Sequence, residues 1–390
     1  MGGIKMADKY LVEPDVNFIK EIGEYGGDSL KKCFQCATCS VACPISPDNK
    51  PFPRKEMIAA SWGLKDKLVG NGDIWLCHNC GDCSTLCPRG AKPGDVLAAI
   101  RMYAISHYAG LPALGKLFSD PKKLPIVAAI PIVIFLVIGL IVDLFGTNWL
   151  DFTPALDAHG QIAHHMFFHT WLVDMIFVPT SIFVVAVFAL GLKRFIADIH
   201  ANAMFEGKTS KEKIDPKGFI ESLVKILPTI LKHSKFSECG ENADRATPHM
   251  MVFFGFVGLA VVTGIFFVVL YGFGIHGPYQ QFNPVKILAN ISGIALVIGS
   301  FLMIKGRMAK QDQVSTYKDW FLVGLVLALG LTGMLTELTR LGGAMFLTNL
   351  LYFVHLMCVF ILFISLPFSK LAHLVYRTTA MAYNEYAGRK

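Results

Sequence analysis

Beyond residue 120 the chain alternates long apolar runs with shorter polar connections. The runs at about 125–145, 170–192, 250–272, 285–304, 319–338 and 348–368 are each long enough for a helix to cross about 30 Å of hydrocarbon, which takes about 20 residues. They predict six transmembrane helices. The first 115 residues read differently, with charges, turn residues and short apolar groups at helical spacing, and one helix is expected over Arg54–Val69. The connection 193–248 carries Phe219, Leu223, Ile226, Leu227, Ile230 and Leu231 at helical spacing, with Lys225, Lys232 and Lys235 beside them. This predicts a basic amphipathic helix on a surface or under a partner, broken at Pro228.

Composition agrees with a membrane portion, because 53% of the 390 residues are hydrophobic and soluble domains carry fewer. The net charge of +7 averages two different materials, so it does not mark a nucleic-acid-binding surface. Lys122 and Lys123 precede the first span, and Lys193, Arg194, Lys208, Lys211, Lys213 and Lys217 follow the second. Lys305, Arg307 and Lys310 follow the fourth, and Lys370 and Arg377 the sixth. The intervening loops 146–169 and 273–284 contain no Lys or Arg, and 339–347 has only Arg340. The positive-inside rule therefore puts both ends on the cytoplasmic side of the inner membrane. No cleavable leader pattern opens the chain, which is consistent with that orientation.

The expected fold class is all-α: a helical two-[4Fe-4S] ferredoxin-like domain at 1–115, a six-helix transmembrane bundle at 116–375, and a cytoplasmic tail at 376–390. The first of these rests on cysteine spacing. Cys33-x2-Cys36-x2-Cys39-x3-Cys43-Pro44 and Cys77-x2-Cys80-x2-Cys83-x3-Cys87-Pro88 are two copies of the bacterial ferredoxin run, in which the fourth cysteine ligates the other cluster. Three thiolates so close in sequence wrap one cube, and the fourth iron takes a ligand from further away. One cluster accordingly takes Cys33, Cys36, Cys39 and Cys87, and the other Cys77, Cys80, Cys83 and Cys43. Zinc favours two cysteine pairs with a long gap, and four consecutive ligands at this spacing are hard to fold around one ion. Cys239 and Cys358 stand alone.

Ionisable groups inside a membrane are costly and usually functional. His355 and His373 lie eighteen residues apart, which on one continuous helix is five turns and about 27 Å. Both imidazoles would then leave the same face, one near each membrane surface, as two stacked b haems require. His249, at the start of the third span, is the expected second ligand on the cytoplasmic side, opposite His373. On the outer side the candidates are His159, His164, His165, His169 and His276, with His169 preferred as partner of His355 and His165 in reserve. Lys286, Glu337, Arg340 and Asp174 sit near the outer ends of spans, where Lys286 and Glu337 are candidates to line a quinone pocket: a quinone carbonyl needs donors and a quinol needs a proton acceptor. Gly272 to Gly277 matches G-x-G-x-x-G but follows a span with no strand before it, and reads as a loop.

The cysteine segment resembles the C subunit of heterodisulfide reductase. The last span, with Leu366-Pro367-Phe368-Ser369-Lys370-Leu371-Ala372-His373, is similar to the cytochrome b subunit of respiratory nitrate reductase and to the membrane subunit of heterodisulfide reductase. The fusion looks like the C subunit of quinone-interacting membrane-bound oxidoreductase complexes. That resemblance implies two [4Fe-4S] clusters, one or two b haems, and menaquinone. It also implies flavin- and iron-sulfur-containing cytoplasmic partner subunits, and adenylylsulfate reductase beyond them, in dissimilatory sulfate reduction. Quinol oxidation or quinone reduction is the only chemistry expected on this chain itself. Nitrate reductase's span bears a second haem histidine ten positions after the first, where this sequence has Leu259, so an outer haem must find that ligand on another helix or be absent. Two alternatives remain: the membrane subunit of a heterodisulfide-reductase-type complex, and a haem-free anchor for the cluster domain.

Overall fold

A computed structural model of the chain describes residues 13–151, 156–157, 160–233, 240, 243–310 and 314–389. Among them there is no strand, only the isolated bridges Leu150–Phe168 and Leu156–Ile162. The early helices are α1 (Val16–Ile22), α2 (Thr38–Val41), α3 (Arg54–Ser61), α4 (Lys65–Val69), α5 (Asp73–Leu76), α6 (Asp82–Thr85), α7 (Pro93–Ala109) and α8 (Pro112–Leu117). They are followed by α9 (Leu124–Asp143), α10 (His164–Phe167), α11 (Thr170–Phe205), α12 (Pro216–Lys232), α13 (Ala246–Phe273), α14 (Pro284–Ala309), α15 (Tyr317–Leu341), α16 (Met345–Ser365) and α17 (Ala372–Tyr386). The chain divides into two compact units, one of Met1–His107, Lys193–Glu241 and His373–Lys390, the other of Tyr108–Leu192 and Asn242–Ala372.

The first unit is closed by parts of the chain far apart in sequence. Trp75 on α5 is fully buried; its ring lies 5.8 Å from that of Phe195 on α11 and 5.5 Å from that of Tyr376 on α17. Such offset aromatic contacts add to the apolar area they bury. Beside them a buried ion network converges on Asp73, which takes Lys55 at 2.7 Å, Lys208 at 3.1 Å and the Arg389 guanidinium. Asn202 Nδ2 donates to the Lys67 carbonyl at 2.7 Å, and His200 pairs with the Tyr383 hydroxyl at 2.7 Å. The single helix expected over Arg54–Val69 is two, α3 and α4. Gly63 breaks it, at φ +67° and so close to Asp15 that a Cβ would lie 2.8 Å from the Asp15 carbonyl oxygen; only glycine accepts both conditions. The amphipathic helix α12 is not broken at Pro228. Pro228 is exposed, so water can satisfy the carbonyl that its missing N–H leaves free. Lys235 and Cys239 lie outside the described residues.

The second unit holds four of the spans whole and the greater part of the other two. Six helical segments are long and apolar enough to cross a membrane: Pro121–Asp143, Thr170–Phe205, Ala243–Phe273, Pro284–Ala309, Tyr317–Leu341 and Met345–Tyr386. This makes the chain a multi-pass membrane protein, with each span where the apolar runs put it. Stripes of apolar side chains face outward, as Ile291, Ile294, Ile298 and Phe301 do on α14, and hydrocarbon is their natural solvent. Between α13 and α14 small residues allow close approach: a Cβ on Gly255 would lie 3.0 Å from the Ser292 carbonyl oxygen. Without a hydrophobic drive between helices in lipid, such contacts supply the packing. Asn283 caps α14 through the Val285 N–H, and Thr316 and Asp319 form a capping box on α15. The last candidate span is interrupted. After α16 the backbone turns through Leu366–Phe368 and is extended at Ser369 before α17 begins, as Pro367 favours.

Candidate functional site

The two cysteine runs fold as two copies of one loop. In the first, Gln35 (φ +58°) and Ala37 (φ +71°) are left-handed, and the matching Asn79 (φ +54°) and Gly81 (φ +97°) are left-handed in the second. This curls each loop so that backbone amides point at sulfur: the Gln35 N–H at Cys33 Sγ, 3.4 Å, and the Asn79 N–H at Cys77 Sγ, 3.3 Å. The short helices α2 and α6 then carry the third cysteine of each run at their second residue, and Cys87 Sγ accepts from the Ala91 N–H at 3.4 Å.

The thiols gather in two sets. Burial, and then Cys33, Cys36 and Cys87 nearby, push the Cys39 thiol up to about 11. Cys43 is likewise raised to about 11 by burial and by Cys77 and Cys80. Cys83 is raised further by burial together with Cys77, Cys43, Cys80 and Cys39. Cys43 thus lies with Cys77, Cys80 and Cys83 of the other run, and Cys87 lies near Cys39. Buried thiols so placed do not ionise alone, and a cationic group in their midst would reverse that. A cavity of about 320 Å³, its open mouth included, is lined by Cys43, Cys77, Cys80 and Cys83. Among the described residues no three His, Cys, Asp or Glu side chains converge as ligands of a single metal ion. Zinc needs its sulfurs about 2.3 Å from one point, whereas a cube takes each thiolate on a separate iron; two loops of one form, each with its own close-spaced cysteines, fit two cubes.

The surroundings of the two sets differ. Arg101 Nη1 donates to the carbonyls of Ile74 (2.7 Å) and Cys77 (3.1 Å), and Arg377 reaches the Cys77 carbonyl at 3.4 Å and the His78 ring at 2.9 Å. Near the other set, Arg54 Nε donates to the Gln35 carbonyl at 3.0 Å and Arg89 lies over the Phe34 ring at 4.1 Å. Cys36 is exposed, its thiol lowered chiefly by the Thr38 hydroxyl. Sequence reasoning missed Arg101 and Arg377 at this site; the one signal for Arg377 was its place one turn after His373.

In the membrane unit His355 on α16 sits against α15. Its Nδ1 is 3.0 Å from Thr332 Oγ1, whose own proton goes to the Ala328 carbonyl at 2.7 Å. A Cβ on Gly333 would press to 3.1 Å from the ring. Because α16 and α17 are separate helices, the five-turn spacing along one helix between His355 and His373 does not hold. His249 lies in the first turn of α13 and His373 is the second residue of α17. His169 stacks on Trp149, ring centres 5.5 Å apart, and accepts from the Trp171 N–H. His165 faces His276 at 5.2 Å, and His159 lies outside the described residues. His164 is half-buried: it stacks on Tyr352 at 4.3 Å, and its Nδ1 is buried without a hydrogen-bond partner. Burial foremost, with Arg340, holds it down to about 4 against the opposing pull of Glu337; Lys286 and His355 also act on it. Lys286 and Arg340 both pair with Glu337, at 2.9 and 2.8 Å, and Gln281 also donates to it. Asp174 instead accepts from the Tyr271 hydroxyl.

The fold and these loops define a class: a dicluster iron-sulfur segment on a multi-pass helical membrane chain. Residues 29–91 match the 4Fe-4S dicluster domain family, and residues 233–389 the citrate utilization protein B family. The cysteine segment is 40% identical over 88 residues to the C subunit of the H2:CoB-CoM heterodisulfide, ferredoxin reductase of Methanothermobacter marburgensis, covering 22% of this chain and 47% of that one. It is 30% identical over 105 residues to a heterodisulfide reductase C-subunit-like protein of Archaeoglobus profundus, 27% of this chain and 56% of that one. The chain thus spans about half the length of these relatives. Citrate utilization protein B of Escherichia coli is 24% identical over 374 residues, 90% of this chain and 89% of its own. No solved structure matches the chain.

Proposed function

We propose that this chain is the membrane subunit of a respiratory oxidoreductase complex, moving single electrons between menaquinone or menaquinol and cytoplasmic partner subunits. The observation that carries the reading is the pair of matching cysteine loops, with Cys43 of the first lining one hollow together with Cys77, Cys80 and Cys83 of the second. One [4Fe-4S] cluster is assigned to Cys33, Cys36, Cys39 and Cys87, the other to Cys77, Cys80, Cys83 and Cys43. Both accept and release electrons one at a time when bound. The amides that point at Cys33 and Cys77 sulfur stabilise the reduced form.

Haem b is assigned to His249 with His373 on the cytoplasmic side, and to His355 on the outer side. Bonding of the His355 Nδ1 to Thr332 is the arrangement that leaves Nε2 as ligand atom. We name His164 as its partner in place of His169 and His165, since its Nδ1 is buried without a hydrogen-bond partner. The quinone site is placed at Lys286 and Glu337. The basic loops support an inner-membrane orientation with both ends cytoplasmic. The partners are proposed to be flavin- and iron-sulfur-containing subunits like those of heterodisulfide reductases, with adenylylsulfate reductase beyond them in sulfate respiration. A second reading, with a partner from citrate utilisation, is favoured by the relative that matches along nearly the whole chain.

The test is an iron assay and an optical redox titration of the purified chain. About eight cluster irons, a reduced b-type band, and cluster bleaching on adding menaquinol are expected. A haem-free chain whose clusters ignore menaquinol would leave only the anchor.

A further inference from the structure

The two thiol sets differ in exposure within their unit: Cys36 of one is exposed, whereas none of Cys43, Cys77, Cys80 and Cys83 is. Around the Cys77 set the contacts are internal: Cys77 and Cys83 are buried, and Arg101 and Arg377 hold the Cys77 carbonyl. Arg377 stands four residues after His373 on α17, and side chains at that spacing share one face about 6 Å apart. The helix that bears the assigned inner haem ligand therefore also grips the loop of this cluster.

Around the Cys33 set the surface is open. Phe34, Val41 and Leu86 are 68%, 87% and 58% exposed, and each lies within two residues of one of that set's cysteines. Cys36 is exposed among them, and Lys31, Lys32, Arg54 and Arg89 are exposed around them. Apolar groups of this size in water mark a contact surface, and a cationic rim selects a partner of opposite charge.

We propose that Phe34, Cys36, Val41 and Leu86, with their rim of Arg and Lys, form the docking face for an acidic protein that carries its own redox centre. Electrons then pass in a fixed order, with the Cys77 set exchanging with the haem assigned to the helix that carries His373 and Arg377, and the Cys33 set exchanging with the partner. One electron crosses the face at a time, the donor cluster being oxidised and the acceptor reduced, with no bond made or broken. The order rests on the cluster and haem assignments above; the docking face rests on exposure and charge alone.

The experiment uses the oxidised holo-chain in detergent, mixed in a stopped-flow cell with a reduced acidic two-cluster bacterial ferredoxin as electron donor. Lys32→Glu with Arg89→Glu is expected to slow cluster reduction about tenfold at low salt, and to abolish the fall in rate with added salt that the wild type shows. Val41→Glu, at a site with little packing to lose, is expected to slow it as well. Menaquinol-driven reduction stays at the wild-type rate in these variants. Arg377→Ala gives the reverse, slowing the menaquinol route and sparing the ferredoxin route. Unchanged ferredoxin rates in charge-reversed chains whose clusters are intact by electron paramagnetic resonance would overturn the docking face. A wild type that menaquinol cannot reduce would remove the quinone reading, while the ferredoxin arm still judges the face.

Discussion

Replacing Asp73 by Asn tests whether the ion network of the first unit is a structural keystone. The Asp73 carboxylate is almost wholly buried and meets Lys55, Lys208 and Arg389, which hold it well below the usual carboxylate range, at about 2, against the cost of burial. Asn keeps the shape and removes the charge, leaving three cations with Glu206 and Glu56 as remaining anions. Breaking a buried ion pair costs about 3–5 kcal/mol; with part of the balance retained, about 3 kcal/mol is expected here. For a unit of this size that lowers the melting midpoint by roughly 8 °C. Glu56 works in the opposite sense. Burial, and then Asp73, push its carboxyl up to about 7, and its Oε2 has no partner.

A raised acid favours the fold fully below the ordinary carboxylate range, and that contribution fades as pH rises through about 7. A depressed acid favours the fold above the ordinary range and loses this only as pH falls toward about 2. The wild type should therefore melt lower at pH 8 than at pH 6. Glu56→Gln should abolish that difference, whereas Asp73→Asn should melt low at both. Following cluster absorbance during heating at the two pH values reads this out. A loss under about 1 kcal/mol in Asp73→Asn, the size of a surface pair, would refute the buried network.

Three further outcomes follow from local geometry. Gly81→Ala, at φ +97°, should cost about 1–2 kcal/mol, while Ala37→Gly at the matching position should gain up to about 1 kcal/mol; thermal loss of cluster absorbance ranks both against the wild type. Thr332→Val removes the acceptor of the His355 Nδ1 and should weaken retention of the proposed outer haem about tenfold, seen as a lower haem-to-iron ratio; an unchanged ratio and potential would count against that ligand. Trp75→Ala should destabilise the first unit by about 4 kcal/mol, measured by denaturant midpoint, with the helical content of the spans by circular dichroism as an internal control.

Features with a local cause were legible in the sequence. Six apolar runs became six spans because lipid demands continuous hydrogen-bonded helix, and the spacing within each cysteine run already specified its loop. Ala37 hides the repeat, since a left-handed backbone there is announced by Gly81 only in the second copy. Features set by distant contacts were not legible. Gly63 looks like a tolerable glycine in a helix until Asp15 is found against it. His164 and His169 carry the same ring five residues apart, and only the turn at α10 decides which has an enclosed ring nitrogen. That 193–241 would join the cysteine segment depends on Phe195 meeting Trp75 and Tyr376, a pairing no periodicity records.

The aromatic triad and the Asp73 network have a consequence for biosynthesis. A ribosome releases the cysteine runs early, yet Tyr376 and Arg389 emerge only after all six hydrophobic segments have been handed to the membrane. The cluster-bearing segment must therefore wait, incompletely packed, for a latch that is translated after α16, which ties its maturation to successful insertion and exposes any prematurely terminated chain to proteolysis.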